Sequence, residues 1–452
     1  MSSPHRPTRG GRAAEARPRP GEASLLRLAT AGSVDDGKST LVGRLLHDCR
    51  AVLADQLAAV ERASRARGQD VPDLALLTDG LRAEREQGIT IDVAYRYFAT
   101  PRRRFILADT PGHVQYTRNM VTGASTAELA VVLVDARSGV VEQTRRHAAV
   151  AALLRVPHLV LAVNKMDLVG HDQSVFAAIA AEFTRYAARL GVPDVVPIPI
   201  SALNGDNVVH RSAATAWYRG PTLLEHLEQV DTDQDPAGQP ARFPVQYVLR
   251  PQHAGEFRDY RGYAGQLASG VLRRGERVLV LPSGQRTSIA AIDRLGELDA
   301  EFAFAPQSVT LRLADDLDVS RGDLIVPLDV PPDALPRVTD RLTATVCHLD
   351  ERPLHAGDRV LLQHAAGTVR AVVNSLDTRL DLRTLTADPA PPSLSANEIG
   401  RITLHTATPL PLDDYRANRR TGSFLLVDEA DGATVTAGMV GALDKETEAE
   451  RR

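Results

Sequence analysis

The sequence contains very little cysteine and very little lysine. Its two cysteines, Cys49 and Cys347, stand far apart in a chain of 452 residues. This spacing argues against a disulfide-stabilised scaffold and fits a reducing cytoplasm, where we expect the protein to work. Only three of the 53 basic residues are lysines, namely Lys38, Lys165 and Lys445. Because arginine supplies nearly all of the positive charge, a lysine marks a place where a compact ammonium group is needed.

Long apolar runs and a strong net charge are also missing. No apolar run is long enough to span a bilayer, and the arginine- and proline-rich residues 1–23 lack the apolar core of a secretory signal. The net charge of −4 gives no general attraction to nucleic acid or anionic membranes. The arginines of residues 1–23 form either an RNA-binding arm or, as we favour, a disordered tail. We therefore expect neither a membrane nor a nucleic acid among the partners.

Apolar strands alternate with amphipathic helices between residues 24 and 230. Predicted strands cover residues 25–31, 105–108, 129–134, 159–163 and 195–199, and predicted helices cover residues 38–47, 114–126, 141–154 and 173–190. Nearly continuous apolar strands are typical of buried parallel strands, and the alternation predicts a doubly wound α/β domain with a mostly parallel sheet. A hairpin of residues 91–100 with 103–108 would add an antiparallel edge.

Two polar breaks divide the remainder of the chain. Residues 231–240 and 329–336 are rich in proline and acidic residues, and both are typical of linkers. Short alternating runs between them, at residues 243–249, 265–271, 277–282, 286–292 and 309–313, predict a small antiparallel β-barrel over residues 241–328. A second β-rich stretch covers residues 337–443. The predicted fold is thus one α/β P-loop GTPase domain followed by two small antiparallel β-barrels.

A glycine-rich loop joins the first predicted strand to the first predicted helix. Residues 32–39 read G-S-V-D-D-G-K-S, the G-x-x-x-x-G-K-[ST] pattern, in the strand–loop–helix context that the pattern requires. Backbone N–H groups of such a loop bind the phosphates of a nucleotide. Lys38 would bridge the β- and γ-phosphates, and the Ser39 hydroxyl would bind Mg²⁺. The predicted phosphate-binding residues are Gly32, Ser33, Val34, Asp35, Asp36, Gly37, Lys38, Ser39 and Thr40.

Two further motifs, one before and one after the predicted strand at residues 105–108, concern the γ-phosphate. Residues 109–113 read D-T-P-G-H after an apolar strand. We expect Asp109 to bind Mg²⁺ through water, Gly112 to offer its N–H to the γ-phosphate, and His113 to lie beside the attacking water. Thr90, in G-I-T-I, would place oxygen atoms near Mg²⁺, although this segment alone is ordinary strand sequence. The expected metal ligands are Ser39 and Thr90, and the expected catalytic residues are Lys38, Thr90 and His113.

The segment N-K-M-D, residues 164–167, follows a predicted strand at the edge where α/β sheets bind ligands. Asp167 can accept hydrogen bonds from the N1–H and 2-amino groups of guanine, a donor pair that adenine lacks. Asn164 would bridge the base and the phosphate loop, and the Lys165 stem would pack over the purine ring.

A short loop after the last strand would offer a backbone N–H to guanine O6. It consists of Ser201, Ala202 and Leu203, which mean little in isolation. The correct order of all five segments, however, is the signature of a GTPase that uses GTP and Mg²⁺.

These motifs resemble those of the translational elongation-factor class of GTPases, as do the long insert between Ser39 and Thr90 and the two predicted barrels. Within that class the chain most resembles the large, GTPase subunit of bacterial sulfate adenylyltransferase, from about residue 25 to residue 440. The specific stretches are residues 78–98, 109–126, 259–270, 397–400 and 418–424.

The resemblance implies a heterodimer or higher complex with a small subunit that adenylates sulfate with ATP. The implied products are adenosine 5′-phosphosulfate and pyrophosphate, and GTP hydrolysis in the large subunit would drive this unfavourable reaction. It also implies that Val34 and Ile89 flank His113 as a hydrophobic gate. Some relatives carry a fused kinase, which we do not expect here because there is no second phosphate-loop pattern.

Two alternatives belong to other classes. An elongation factor that delivers aminoacyl-tRNA would need a basic RNA-binding face, against which the net charge of −4 argues weakly. A GTP-binding scaffold without catalysis would need a broken phosphate loop, threonine or histidine, and none of these is broken. RNA binding separates the first alternative from the favoured function, and a GTPase assay separates the second.

Overall fold

The structure is a computed structural model that describes residues 24–66, 72–77, 93–112, 117–192, 194–232, 236–251 and 260–441. It contains three successive structural units. A mixed α/β unit comes first, and two units built from antiparallel strands follow. In this part of the chain, no helix is long and apolar enough to cross a membrane.

The first unit is a six-stranded sheet covered by helices. Its strands are β1 (Ser24–Ala31), β2 (Ala94–Ala99), β3 (Arg103–Asp109), β4 (Leu129–Asp135), β5 (His158–Asn164) and β6 (Val195–Pro199). They lie in the order β2-β3-β1-β4-β5-β6, in which only the edge strand β2 runs antiparallel to its neighbour. Every residue of β4 is buried, as expected for a central parallel strand that is covered on both faces. The predicted mostly parallel sheet with an antiparallel edge is confirmed.

The described helices lie on both faces of this sheet. They are α1 (Lys38–Asp48), α2 (Ala54–Ala66), α3 (Thr117–Ser125), α4 (Glu142–Leu153), α5 (Gln173–Arg189) and α6 (Leu223–Gln229). Helices α2 and α6 were not predicted. The predicted start of α3 at residue 114 lies outside the described residues.

The second unit is a seven-stranded antiparallel sheet with a small ribbon. Its strands are β7 (Phe243–Pro244), β8 (Tyr247–Leu249), β9 (Gly262–Gln266), β10 (Val271–Arg273), β11 (Arg277–Leu281), β12 (Gln285–Asp293), β13 (Phe302–Phe304), β14 (Ser308–Leu313) and β15 (Leu324–Pro327). The predicted strand at residues 265–271 is wrong in position. The chain leaves β9 at Gln266 and turns through Gly270, whose φ is +77°, before β10 begins.

The two ends of this sheet are joined by one short stretch of chain. Strand β7 pairs with β15, and β8 pairs with β9 at the opposite end of the sheet. Between them, Val245 N–H donates to Asp323 O at 2.8 Å, and Gln246 N–H donates to Ala264 O at 2.9 Å. The sheet therefore curls back on itself around an apolar core that includes Phe243 and Tyr263.

The third unit is a closed barrel. Its strands are β16 (Arg337–His348), β17 (Arg359–His364), β18 (Gly367–Leu380), β19 (Ala387–Pro389), β20 (Ile399–Leu412), β21 (Ser423–Val427) and β22 (Thr434–Val440). The order β17-β21-β22-β16-β20-β18 closes because β18 also pairs with β17. Closure removes the exposed sheet edges, which is the usual way in which small antiparallel sheets avoid unpaired strands.

The barrel packs against the helices of the first unit. One buried apolar cluster combines residues of α4 and α5 with Ile399, Tyr415 and Met439 of the barrel. Tyr415 Oη donates to Leu154 O at 2.9 Å. Between the two antiparallel units, the buried Arg242 binds Asp413 through Nε at 2.8 Å and Nη2 at 2.9 Å. The three units are thus tied together by buried polar contacts as well as by apolar packing.

Candidate functional site

The carboxyl ends of β1, β3, β5 and β6 bring the predicted motifs to one edge of the sheet. The parallel registers pair Thr30 of β1 with Asp109 of β3, and Leu133 of β4 with Ala162 of β5. Each following loop carries one of the motifs. This is the edge at which open α/β sheets bind ligands, because helix N-termini and loop N–H groups converge there.

The phosphate loop turns sharply between β1 and α1. Asp35 has φ +66° and Gly37 has φ +92°, so two left-handed residues reverse the chain just before the helix begins at Lys38. Ser33 N–H donates to Asp36 Oδ2 at 2.5 Å across the turn. Burial raises the pKa of Asp36, and the Ser33 hydrogen bond opposes that rise. Val34, Ser39 and Thr40 are half-buried around this turn.

Lys38 lies at the centre of the loop with only 7% of its surface exposed. Its Nζ donates to Gly32 O at 3.0 Å and to Ser33 O at 2.8 Å. Burial lowers its pKa, while the nearby carboxylates of Asp109 and Asp36 act in the opposite direction. An ammonium has three donors, and these two bonds leave one for a further acceptor. A phosphate oxygen beside this group would favour the charged form of the lysine.

The turn that follows β3 lies directly over the phosphate loop. Asp109 is 1% exposed and accepts from Thr30 Oγ1 at 3.0 Å. Thr110 Oγ1 donates to Thr30 O at 2.5 Å and so fixes the start of the turn. A β-carbon on Gly112 would lie 2.7 Å from Gly32 O and would overlap Lys38 Nζ. The turn can lie this close to the loop only because residue 112 is glycine.

Helix α4 supports this turn from the other side, which the sequence did not suggest. Gln143 Nε2 lies 3.4 Å from Gly112 O and 3.0 Å from His147 Nε2. His147 is 2% exposed, and burial together with the positive charges of Lys38 and Arg146 lowers its pKa to about 3. A neutral imidazole can accept a hydrogen bond from the Gln143 amide, which keeps this amide directed at the turn.

Asn164 connects the phosphate loop with the loop after β6. Its Nδ2 donates to Asp36 O at 2.7 Å, and its Oδ1 accepts from Ala202 N–H at 2.9 Å. The side chain is 2% exposed. A β-carbon on Gly37 would overlap the Asn164 amide. One buried side chain therefore fixes the distance between two loops that are far apart in sequence.

Lys165 is held by groups on both sides. It has a left-handed φ of +62°, and its Nζ donates to Asp35 O and lies 3.0 Å from Asp135 Oδ2. Asp135 is buried, which raises its pKa, but hydrogen bonds from Arg137 and Lys165 outweigh burial and hold the pKa well below its ordinary value. The charged Asp135 therefore anchors both cations. Asp135 is not among the predicted residues, although its position at the end of β4 is a signal that the sequence contains.

Asp167 stands in the short 3-10 helix Met166–Val169 directly after Lys165. Within the described residues, no N–H or O–H group donates to its carboxylate, and the residue is half-buried. The hydrogen bond to Asp135 raises the pKa of Arg137, and the nearby charge of Asp167 acts in the same direction. Asp167 thus presents free acceptor atoms next to the Asn164 junction, as recognition of an N–H donor pair requires.

In the loop of Ser201, Ala202 and Leu203, two of the three backbone N–H groups already donate to acceptors within the protein. Ser201 N–H donates to Asp206 O at 3.2 Å, and Ala202 N–H donates to Asn164. Leu203 N–H has no acceptor within the described part of the chain. It is therefore the donor in this loop that remains for a ligand.

Not every predicted site residue lies within the described part of the chain. Thr90 and His113 lie outside the described residues, as does Ile89 of the predicted gate. The other predicted residues converge on one edge of the sheet, where they form a buried cation, a carboxylate acceptor and a set of backbone donors. This arrangement can bind a polyphosphate at one end and a purine base with an N–H donor pair at the other.

Comparisons with known proteins agree with this geometry. Residues 23–233 match the family model described as the Elongation factor Tu GTP binding domain, so the first unit is a GTP-binding domain of that type. Residues 341–441 match the model described as GTP-eEF1A C-terminal domain-like.

Three curated relatives cover nearly the whole chain. "Sulfate adenylyltransferase subunit 1" of Bacteroides fragilis is 51% identical over 92% of this chain and 86% of its own length. The protein of the same name from Laribacter hongkongensis is 48% identical over 95% of this chain and 89% of its own. "Bifunctional enzyme CysN/CysC" of Mycobacterium tuberculosis is 59% identical over 92% of this chain, which spans 67% of that longer protein. On this identity and coverage, the chain belongs to the sulfate adenylyltransferase subunit 1 family of GTPases.

Proposed function

We propose that this protein is the GTPase subunit of a sulfate adenylyltransferase. In this function, GTP hydrolysis drives the formation of adenosine 5′-phosphosulfate and pyrophosphate from ATP and sulfate on a partner small subunit. The observation that carries the proposal is the 51% identity to a subunit 1 over 86% of its length. Delivery of aminoacyl-tRNA has less support, because the curated relatives described above are named for sulfate chemistry or as bifunctional enzymes.

The proposed partner follows from the same resemblance. It is a small subunit that holds ATP and sulfate, and we place the assembly in the cytoplasm. We propose domain limits of residues 24–230, 241–328 and 337–443, with residues 1–23 as a tail. The buried contacts between the first unit and the barrel, such as Tyr415 Oη to Leu154 O, give a physical route by which the nucleotide state could influence a bound partner.

GTP would lie along the edge of the sheet with its phosphates on the loop of residues 32–39. In this arrangement Lys38 neutralises charge on the β- and γ-phosphates, and Gly112 N–H contacts the γ-phosphate. Asp167 accepts from guanine N1–H and the 2-amino group, Lys165 packs its stem on the ring, and Leu203 N–H meets O6. His113 would orient the attacking water, with Val34 and Ile89 beside it.

The residues present fit Mg²⁺. The buried Asp109 carboxylate at the end of β3 and the Ser39 hydroxyl at the start of α1 are hard oxygen donors, which is the donor type this ion prefers. Ser39 and Thr90 would hold the ion directly and Asp109 would hold it through water. When bound, Mg²⁺ would neutralise charge on the phosphate oxygens.

The decisive experiment follows GTP and phosphosulfate together over time. The purified protein alone should bind GTP and hydrolyse it slowly, because a coupling GTPase must not hydrolyse GTP before the coupled step. Addition of the small subunit with ATP and sulfate should accelerate GTP hydrolysis and raise phosphosulfate above its uncoupled equilibrium level. An equal final level with GTP and with a non-hydrolysable analogue would refute coupling, even if GTP binding is normal.

A further inference from the structure

Arg44 joins the helix that follows the phosphate loop to the loop after β6. Its Nε donates to Ala202 O at 3.1 Å, and its Nη2 donates to Leu203 O. Its Nη1 lies 3.6 Å from Asp48 Oδ1, and only 16% of the side chain is exposed. A guanidinium is a rigid planar fork, so it can hold two neighbouring carbonyl groups in one fixed arrangement.

These two bonds fix the orientation of the peptide between Ala202 and Leu203. In a trans peptide, the C=O and N–H groups point in opposite directions. Because Ala202 O points at Arg44, Leu203 N–H points away from α1. This N–H has no acceptor within the described residues, whereas those of Ser201 and Ala202 are already used by Asp206 O and Asn164 Oδ1.

The remainder of the loop is shaped around the same side chain. Gly205 has φ +85°, and a β-carbon there would stand 3.6 Å from Arg44 Cδ. The loop thus lies against the arginine stem as well as its guanidinium. Helix α1 begins at Lys38, so Arg44 sets the position of the base-binding loop relative to the phosphate anchor.

We infer that Arg44 is a positioning residue for purine recognition, which holds Leu203 N–H in the direction that O6 of guanine requires. This inference rests on the proposed GTP function and deepens it. Asp167 would read N1–H and the 2-amino group, and Arg44 would act through Leu203 on the O6 atom. The two residues therefore control different atoms of the same base.

The test compares GTP with 2-aminopurine riboside triphosphate, which lacks both O6 and the N1–H donor, so that it offers no acceptor to Leu203 N–H. In Arg44→Met, the Kd for GTP should rise roughly tenfold, as expected for the loss of one well-oriented hydrogen bond. The weak binding of the 2-aminopurine nucleotide should change by less than about twofold. Arg44→Lys should recover part of the GTP affinity, since an ammonium can reach one carbonyl but not both. In steady-state hydrolysis, KM for GTP should rise while kcat stays nearly constant.

Arg211→Met is the matched control. Arg211 lines the same surface cavity as Arg44, but its guanidinium pairs with Glu225 at 3.5 Å. This variant should bind both nucleotides as the unmodified protein does.

An equal loss of affinity for both nucleotides in Arg44→Met would overturn the inference, because it would indicate a general loosening of the loop. Unchanged GTP affinity would also overturn it. If the unmodified protein itself does not prefer GTP to ATP, the proposed function fails instead, whatever the arginine variants do.

Discussion

Gly112 lies directly against Lys38. A β-carbon on Gly112 would overlap Lys38 Nζ and would lie 2.7 Å from Gly32 O. The turn after β3 and the phosphate loop thus occupy the same small space, and only a hydrogen atom fits between them. Because neither segment can move toward the other, a ligand bound to the phosphate loop beside Lys38 would also contact the Gly112 turn.

Gly112→Ala should weaken binding of GTP by at least about tenfold and binding of GDP by much less. The added methyl group displaces the turn, and we propose that this turn contacts the γ-phosphate, which GDP lacks. Competition with a fluorescent nucleotide measures both affinities. Gly238→Ala is the control, because Gly238 has no left-handed φ and its added methyl group would meet no atom within 4 Å. Equal losses for GTP and GDP would contradict the proposed γ-phosphate contact.

Lys38→Arg should abolish measurable GTP binding although the charge is kept. Lys38 is 7% exposed and already directs two bonds to Gly32 O and Ser33 O. The broad guanidinium cannot enter this narrow space without displacing the loop. Nucleotide titration gives the result, and thermal unfolding shows whether the variant is folded. Normal GTP affinity in a folded variant would show that the compact shape of the Lys38 ammonium group is not required for GTP binding.

Asp167→Asn should shift preference from GTP toward xanthosine triphosphate. The amide offers a donor where the carboxylate offered only acceptors, and xanthine carries an oxygen where guanine carries the 2-amino group. An unmatched buried polar group costs roughly 1–3 kcal/mol, so the affinity ratio should change by about tenfold or more. The measurement is competition between the two nucleotides on both proteins. An unchanged ratio would show that Asp167 does not contact the base.

His113→Ala should leave GTP affinity within a few-fold and lower turnover by orders of magnitude. The expectation comes from the D-T-P-G-H motif, since positioning of the attacking water acts on the chemical step more than on binding. Turnover is compared for both proteins in the presence of the small subunit, ATP and sulfate. Equal turnover would remove His113 from the mechanism.

The stability of the protein should fall as the pH decreases below about 6.5, partly because of His147. Burial and the neighbouring Lys38 and Arg146 charges lower its folded-state pKa to about 3, whereas the unfolded chain has the ordinary value of about 6.5. Between these values only the unfolded state takes up the proton, so acid favours unfolding. In His147→Gln, the unfolding temperature should fall less steeply from pH 7 to pH 5. His355→Gln, at an exposed site, should keep the original slope. If the unfolding temperature depends on pH equally in all three proteins, His147 does not contribute to the loss of stability in acid.

Local patterns were sufficient for much of the fold. Continuous apolar runs identified β1, β4 and β5, and the alternation with helices gave the parallel sheet. Glycine positions were less reliable guides: the segment around Gly270 reads as a strand, but its φ of +77° makes it a turn. Helices α2 and α6 were missed, and α6 has only seven residues, too few for a helical period to stand out.

Short local motifs predict the chemistry of the candidate nucleotide site. The identity and order of the phosphate loop, the D-T-P-G-H turn and the N-K-M-D segment specify which donor and acceptor groups follow each strand, since each motif is local and belongs to one loop. Lys38 and Asp167 are predicted from such spacing alone, and their roles stay predictions until the variants above are measured.

The way in which these groups are held depends on contacts between distant parts of the chain. Asp135 pairs with Lys165, Gln143 and His147 support the Gly112 turn, and Arg44 directs the Leu203 peptide. Each of these relationships joins residues that lie on different elements of the fold. Burial of charged side chains and the direction of a single peptide depend on how strands and helices pack, and no local pattern encodes that arrangement.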